Sequence, residues 1–199
     1  MLDAHVLATP TPVVPKKKGR GLFQLIKFAV IAFAIVLPVR WLVVQPFIVS
    51  GVSMAPTFDA NEYLVVDKIS YRFQKPQRGD VVILRYPLDS SIFFVKRIVA
   101  LPGETVNVAH GVVTIISHDG SRHALLEPYA SSESVEKQSI TTTLASDEYF
   151  VLGDNRDMSS DSREWGPLQE KFIIGRAIVS LYPFKDIEFL PGRYRHEGL

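Results

Sequence analysis

The chain has 199 residues, enough for one sizeable core with a smaller appended lobe and too few for two full domains. Hydrophobic residues make up 47% and charged residues 22%, the composition of a folded protein with an apolar surplus near the N-terminus. Residues 1–49 carry six Lys/Arg against one acidic residue and the remainder sixteen against twenty, so no basic face for nucleic acid is expected. The absence of cysteine excludes disulfides, thiolate nucleophiles and cysteine-type zinc sites.

Residues 1–21 read as a cytoplasmic tail, with Pro10, Pro12 and Pro15 in its irregular first part. The apolar run from Leu22 to Val44 then covers 23 residues, against the roughly 20 that span a bilayer as a helix. Lys27 and Arg40 would snorkel toward opposite surfaces and Trp41 would sit in an interfacial belt, while Pro38 marks a kink or an end. The cluster "KKKGR", with Lys16, Lys17, Lys18 and Arg20, precedes the run and by the positive-inside bias faces the cytoplasm. One transmembrane anchor over 22–44 is therefore expected, with residues 45–199 outside the plasma membrane. The competing reading is a cleavable signal peptide, because small residues follow in "SGVSMAPTF" and cleavage after Gly51 or Ser53 would suit them. Against it, the run exceeds the usual signal core of roughly 7 to 15 residues and is broken by Arg40 and Pro46.

From Tyr63 the chain reads as short β segments: "YLVVDKI", "DVVILRY", "IFFVKRIVAL", "TVNVAHGVVTIIS", "EYFVLG" and "FIIGRAIVSLYPF". Turn signals such as "QRGD", "YPLD", "LPGE" and "SHDG" separate them. A mainly β, antiparallel fold is expected, with a smaller β-rich accessory lobe over about 104–147 and a short helix or turn in "SSDSREWGPL".

The five histidines form no metalloprotease or nucleophile-elbow pattern, so a base has to come from elsewhere. Ser53 stands in "GVSMAP", where Gly51 permits an unusual backbone path and Pro56 pushes Ala55 to an extended one, so the hydroxyl can sit exposed at a turn. Small polar residues also populate ordinary loops. Lys96 and Arg97 are adjacent in an apolar strand, and alternation sends them to opposite faces, so one of them lies on a buried or half-buried face unless this is an edge strand with its lysine in water. Burial lowers a lysine pKa, and a neutral amine can take a proton from a serine hydroxyl. In "GDNRDMSSDSREWGPL" Asp157 and Asp161 can pair with Arg156 or Arg163, and Ser159 or Ser162 can orient an amine. The spacing does not fit a calcium loop, and no metal or cofactor is expected.

Together these segments resemble the type I signal peptidases, membrane-anchored Ser-Lys proteases. "SMAPTF" is similar to the family's nucleophile segment, "RGDVVIL" to the strand after it, "VKRIVALPGE" to the general-base segment and "GDNRDMSSDSREWGPL" to the long polar loop, all in family order. The resemblance implies Ser53 as nucleophile, with its backbone N–H in the oxyanion hole, and Lys96 as general base. It also implies Ser159 as the serine bonded to the lysine amine, Asp161 as the structural aspartate paired with Arg163, and Arg97 as structural. Gly51 stands where the Gram-negative branch has an oxyanion-hole serine, which leaves the hole to backbone groups. Phe47, Val49, Phe94 and Val95 are expected to line shallow pockets that accept small residues before the cut.

The expected partners are exported preproteins with signal peptides, and membrane lipid. Competing readings are a conjugation or pilin-maturation Ser-Lys peptidase, a Ser-Lys autoprotease joined to a DNA-binding repressor, which would need a helical reading domain in place of the anchor, and a non-enzymatic single-pass β-domain protein.

Overall fold

Strand residues alternate between buried and partly exposed wherever one face meets a core. Tyr63–Asp67, Thr105–Ala109 and Val112–Ile116 each bury every second residue. The computed structural model describes residues 20–42, 44–117, 119–131, 139–182 and 188–194. The tail read over 1–21 therefore lies outside the described residues except for Arg20 and Gly21, as do His5, His118 and His196.

Two helices and twelve strands are described: α1 Arg20–Leu42, β1 Val44–Ile48, β2 Tyr63–Asp67, β3 Val81–Tyr86, β4 Asp89–Ala100, β5 Thr105–Ala109, β6 Val112–Ile116, β7 Arg122–Ala124, β8 Ile140–Thr143, β9 Glu148–Leu152, α2 Ser162–Trp165, β10 Leu168–Gln169, β11 Ile173–Tyr182 and β12 Glu188–Phe189. The chain divides into two units, residues 1–38 and 39–199. In the first, α1 presents Leu22, Phe23, Phe28, Ile31 and Phe33 exposed. Its backbone stays helical through Pro38 to Leu42. Side chains of α1 are described for 21–36 only, and among the described residues no helix is long and apolar enough to cross a membrane.

In the second unit the larger sheet runs β1-β2-β11-β3-β4-β9-β10, with β12 paired to β11, and all its pairings are antiparallel. A second sheet, β7-β6-β5-β8, occupies residues 105–143. The mainly β, antiparallel expectation matches this architecture. So does the short helix in the polar loop, where α2 follows Asp161, whose side chain caps it by accepting from Arg163 N–H.

The core sits on both faces of the larger sheet. β3 is buried on both sides: Val81 and Ile83 join Met54, Phe58, Leu64 and Val66 on one, Val82 and Leu84 join Ile98, Tyr149 and Val151 on the other. β9 splits by the same period of two, because Phe150 and Leu152 pack with Val106, Val108, Val113 and Ile115 of the second sheet. The larger sheet also curls. β1 and β4 have three strands between them in the ladder, yet the Phe47 and Phe93 rings meet with centroids 5.6 Å apart. That curl closes a cleft between the two strands.

Candidate active site

Gly51 enters the serine loop with φ +88°, and a Cβ there would meet no atom within 4 Å. Glycine is thus required by the backbone path and not by crowding. The chain turns over residues 53–57, Phe58 N–H donates to Met54 O at 3.0 Å, and both side chains are buried in the core. These two anchors leave Ser53 half-buried at the rim of the cleft. Phe47, Val49, Ser53, Met54, Phe94 and Val95 are among the residues that line it, in a cavity of about 70 Å³. One water needs roughly 10–15 Å³, so the cleft admits a small side chain. The four residues expected to form substrate pockets all lie on this lining.

Lys96 pairs with Val82 of β3 and precedes the β4–β9 ladder, which begins at Arg97↔Leu152. The chain leaving β9 at Gly153 therefore passes beside it. Lys96 is 2% exposed and Arg97 0%, so both cations are buried, one more than alternation required, and the water-facing reading of Lys96 is overturned. Among the described residues Lys96 Nζ has no hydrogen bond or ion pair, and it stands 5.2 Å from the Phe94 ring centroid. Burial pulls its pKa down to about 8, while the Asp161 carboxylate opposes the shift and Arg163 adds to it.

Arg97 is spent structurally. Nε donates to Asp154 Oδ1 at 2.8 Å and a terminal nitrogen to Oδ2 at 2.5 Å, a bidentate pair at two sites closed to solvent. It also donates to the Gly79 and Gly192 carbonyls and stacks 3.8 Å from the Tyr129 ring centroid. Asp154 Oδ2 accepts a further bond of 2.5 Å from Thr57 Oγ1, which ties the serine loop to this pair.

Asp161 is 0% exposed and accepts from Gly153 N–H at 3.0 Å, Ser159 Oγ at 2.7 Å and Arg163 Nε at 2.8 Å. The Ser159 hydroxyl donates to Asp161, which leaves its oxygen able to accept from an amine, the role the resemblance implies toward Lys96. Elsewhere in this loop Arg156 pairs with Glu127 and not with an aspartate, and Ser162 Oγ accepts from Val151 N–H.

Gly153 joins the pieces. A Cβ at this position would overlap the Ser159 side chain and the Ser53 carbonyl, so glycine alone lets the serine loop and the polar loop close on each other. Asn155 N–H completes the seam with a 3.0 Å bond to Ser53 O. Sequence reading missed Thr57, Gly153, Asp154 and Glu127 as partners. Their signal is weak, since each stands beside a motif and its partner lies far along the chain. Among the described residues no group of three or more His, Asp or Glu could hold a metal.

The profile of the family "Signal peptidase, peptidase S26" matches residues 22–182. Signal peptidase I of Leptolyngbya laminosa is 33% identical over 191 residues, covering 88% of this chain and 91% of its own. Signal peptidase I T of Bacillus subtilis (strain 168) is 34% identical over 189 residues, covering 90% of this chain and 95% of its own. A crystal structure of a signal peptidase I from Enterococcus faecalis V583 is 30% identical, with a TM-score of 0.44 over 52% of this chain and 97% of that one.

Proposed function

The chain belongs to the signal peptidase, peptidase S26, family, and from that premise we propose that it is a membrane-bound serine endopeptidase that removes N-terminal signal peptides from exported preproteins through a Ser53–Lys96 dyad. The observation that carries the dyad is the Lys96 amine: 2% exposed, with pKa about 8 and no hydrogen bond among the described residues. At neutral pH a useful fraction of such an amine is unprotonated and holds a free lone pair.

Lys96 takes the Ser53 hydroxyl proton, and Ser53 Oγ attacks the scissile carbonyl. Backbone N–H groups around Ser53 receive the oxyanion, because Gly51 offers no side chain. The protonated Lys96 then gives its proton to the leaving amine, and the neutral amine activates water to hydrolyse the acyl-enzyme. Asp161, held by Arg163, fixes Ser159 and Gly153 next to this centre. The substrate lies extended along Phe47–Ser50 by strand addition, and the small cleft selects small residues before the cut.

Membrane attachment rests on α1. The apolar run over residues 22–44, which contains most of it, covers 23 residues against the roughly 20 needed to span, and its described side chains are exposed almost throughout. The basic cluster before it sets the N-terminus in the cytoplasm and residues 45–199 outside.

Purified full chain in detergent, given a preprotein, tests the dyad. Cleavage after a small residue is expected, with Ser53→Ala and Lys96→Ala each folded and below about 1% of wild-type rate. Full activity in either variant overturns it. Protease added outside intact cells should digest the β-rich unit; protection would overturn the orientation.

A further inference from the structure

A second and larger cavity, of about 440 Å³, lies in the β-rich unit, and Phe93 lines both it and the cleft. Its charge is one-sided. Lys68 just after β2, Arg72 at the end of a short 3-10 turn and Arg85 in β3 all line it, and no acidic side chain does. None of the three cations has an ion-pair partner among the described residues. Lys68 Nζ donates to Gln45 Oε1 at 3.4 Å, and Arg85 donates to Ser90 O at 3.3 Å and stacks on Phe93. The neighbouring acid, Asp67, is occupied by Ile69 N–H, Ser70 N–H and the Ser70 hydroxyl. Three like charges around one cavity repel one another and lower the cost of bringing in an anion.

The rest of the lining is Phe93, Ile173 and Ile174 together with Gln45 and Tyr71, whose hydroxyl is turned to Asp80 at 2.9 Å. The segments that carry Arg72 and Arg85 also expose large apolar tips: Phe73 is 82% exposed and Leu88, in the β3–β4 turn, 74%. A cationic hollow with an apolar floor and flanking apolar tips suits an amphipathic anion better than a free inorganic one. Gln45, which holds Lys68, is the third residue after the last of α1. We propose that Lys68, Arg72 and Arg85 bind the phosphate of an anionic phospholipid headgroup, with its glycerol and upper acyl carbons on Phe93, Ile173 and Ile174. This site is separate from the peptidase centre and stands whether or not the dyad does.

The test uses the full chain in uncharged maltoside micelles, titrated with dihexanoyl-phosphatidylglycerol and, in parallel, with inorganic phosphate, with binding read by phosphorus NMR line broadening. Saturable binding of the lipid is expected, at least tenfold tighter than phosphate and weakened at high salt. Lys68→Gln, Arg72→Gln and Arg85→Gln should each weaken it about fivefold. These positions are exposed or half-buried, and unchanged cleavage of a preprotein in the same micelles shows that each variant is folded. Lipid binding unaffected by all three substitutions, or absent in wild type, overturns the proposal. Equal affinity for phosphate and lipid overturns the assignment of the anion to a lipid. Peptidase activity, measured separately with Ser53→Ala as the blank, tells failure of this site from failure of the dyad.

Discussion

Thr57 Oγ1 donates to Asp154 Oδ2 at 2.5 Å, joining the serine loop to the start of the polar loop across 97 positions of sequence. The acceptor is charged and buried, the setting in which a hydrogen bond contributes most, about 1.5–3 kcal/mol. Thr57→Val keeps the shape and removes the hydroxyl. It should lower unfolding free energy by about that amount in urea titration. Cleavage should fall further than stability does, because the freed loop carries Ser53. A variant with wild-type stability would show that the bond contributes nothing net.

Asp154 also anchors Arg97, and both side chains are closed to solvent. Removing one partner of a buried pair leaves an uncompensated charge and costs about 3–5 kcal/mol. Arg97→Met should therefore destabilise the unit by that amount. Arg97→Met with Asp154→Leu should cost much less than the two single changes together, because the pair's own desolvation penalty disappears with it. Additive losses in a double-mutant cycle would contradict the coupling.

The strands were legible where a period of two or a continuous apolar run survives in the sequence. β2, β5 and β6 alternate because each has one buried face, whereas β3 reads as an unbroken run because it is buried on both. β1 was hidden: it continues the apolar run without a turn signal and contains Pro46, which is tolerated because β1 is an edge strand. β8 was lost in a Ser/Thr-rich stretch, where the β-branched Thr141, Thr142 and Thr143 were the overlooked cue. In the candidate site the chemistry-bearing residues stood out as types in motifs. What surrounds them did not, because contacts such as Thr57 to Asp154 and Arg156 to Glu127 are set by the curl of the sheet and the return of distant loops.

Gly153 is the narrowest point of the site. A methyl group there has to displace the Ser53 carbonyl or the Ser159 side chain, and the first of these is backbone. Gly153→Ala should cost about 1–3 kcal/mol, the usual range for overpacking. Because one of the displaced groups is the Ser53 carbonyl, in the serine loop, the rate should fall by about a hundredfold or more, the scale of a 1 Å misplacement. Wild-type kcat/KM in a folded Gly153→Ala protein would remove Gly153 from the positioning of Ser53.

Lys96 links stability and activity with opposite signs. Its pKa is about 8 in the folded chain against 10.5 for an unperturbed lysine, with burial as the first cause. Between these values the unfolded chain binds more protons than the folded one, so stability rises with pH across about 8 to 10.5. Below about 8 both states are protonated and the penalty for burying the ammonium is fully present, roughly a few kcal/mol at 1.4 kcal/mol per pKa unit. Lys96→Met, which fills the same space without charge, should therefore unfold at higher urea than wild type at pH 6–7. The two proteins should converge as pH rises toward the unfolded value. Activity depends on the neutral amine, so wild-type kcat/KM should fall about tenfold per pH unit well below about 8 and level off above it. Lys96→Met should be inactive throughout. A stabilised but inactive variant together with this acid limb is the pattern of a buried lysine that acts as the base. A pH profile flat down to pH 5 would exclude it, even if the variant were more stable.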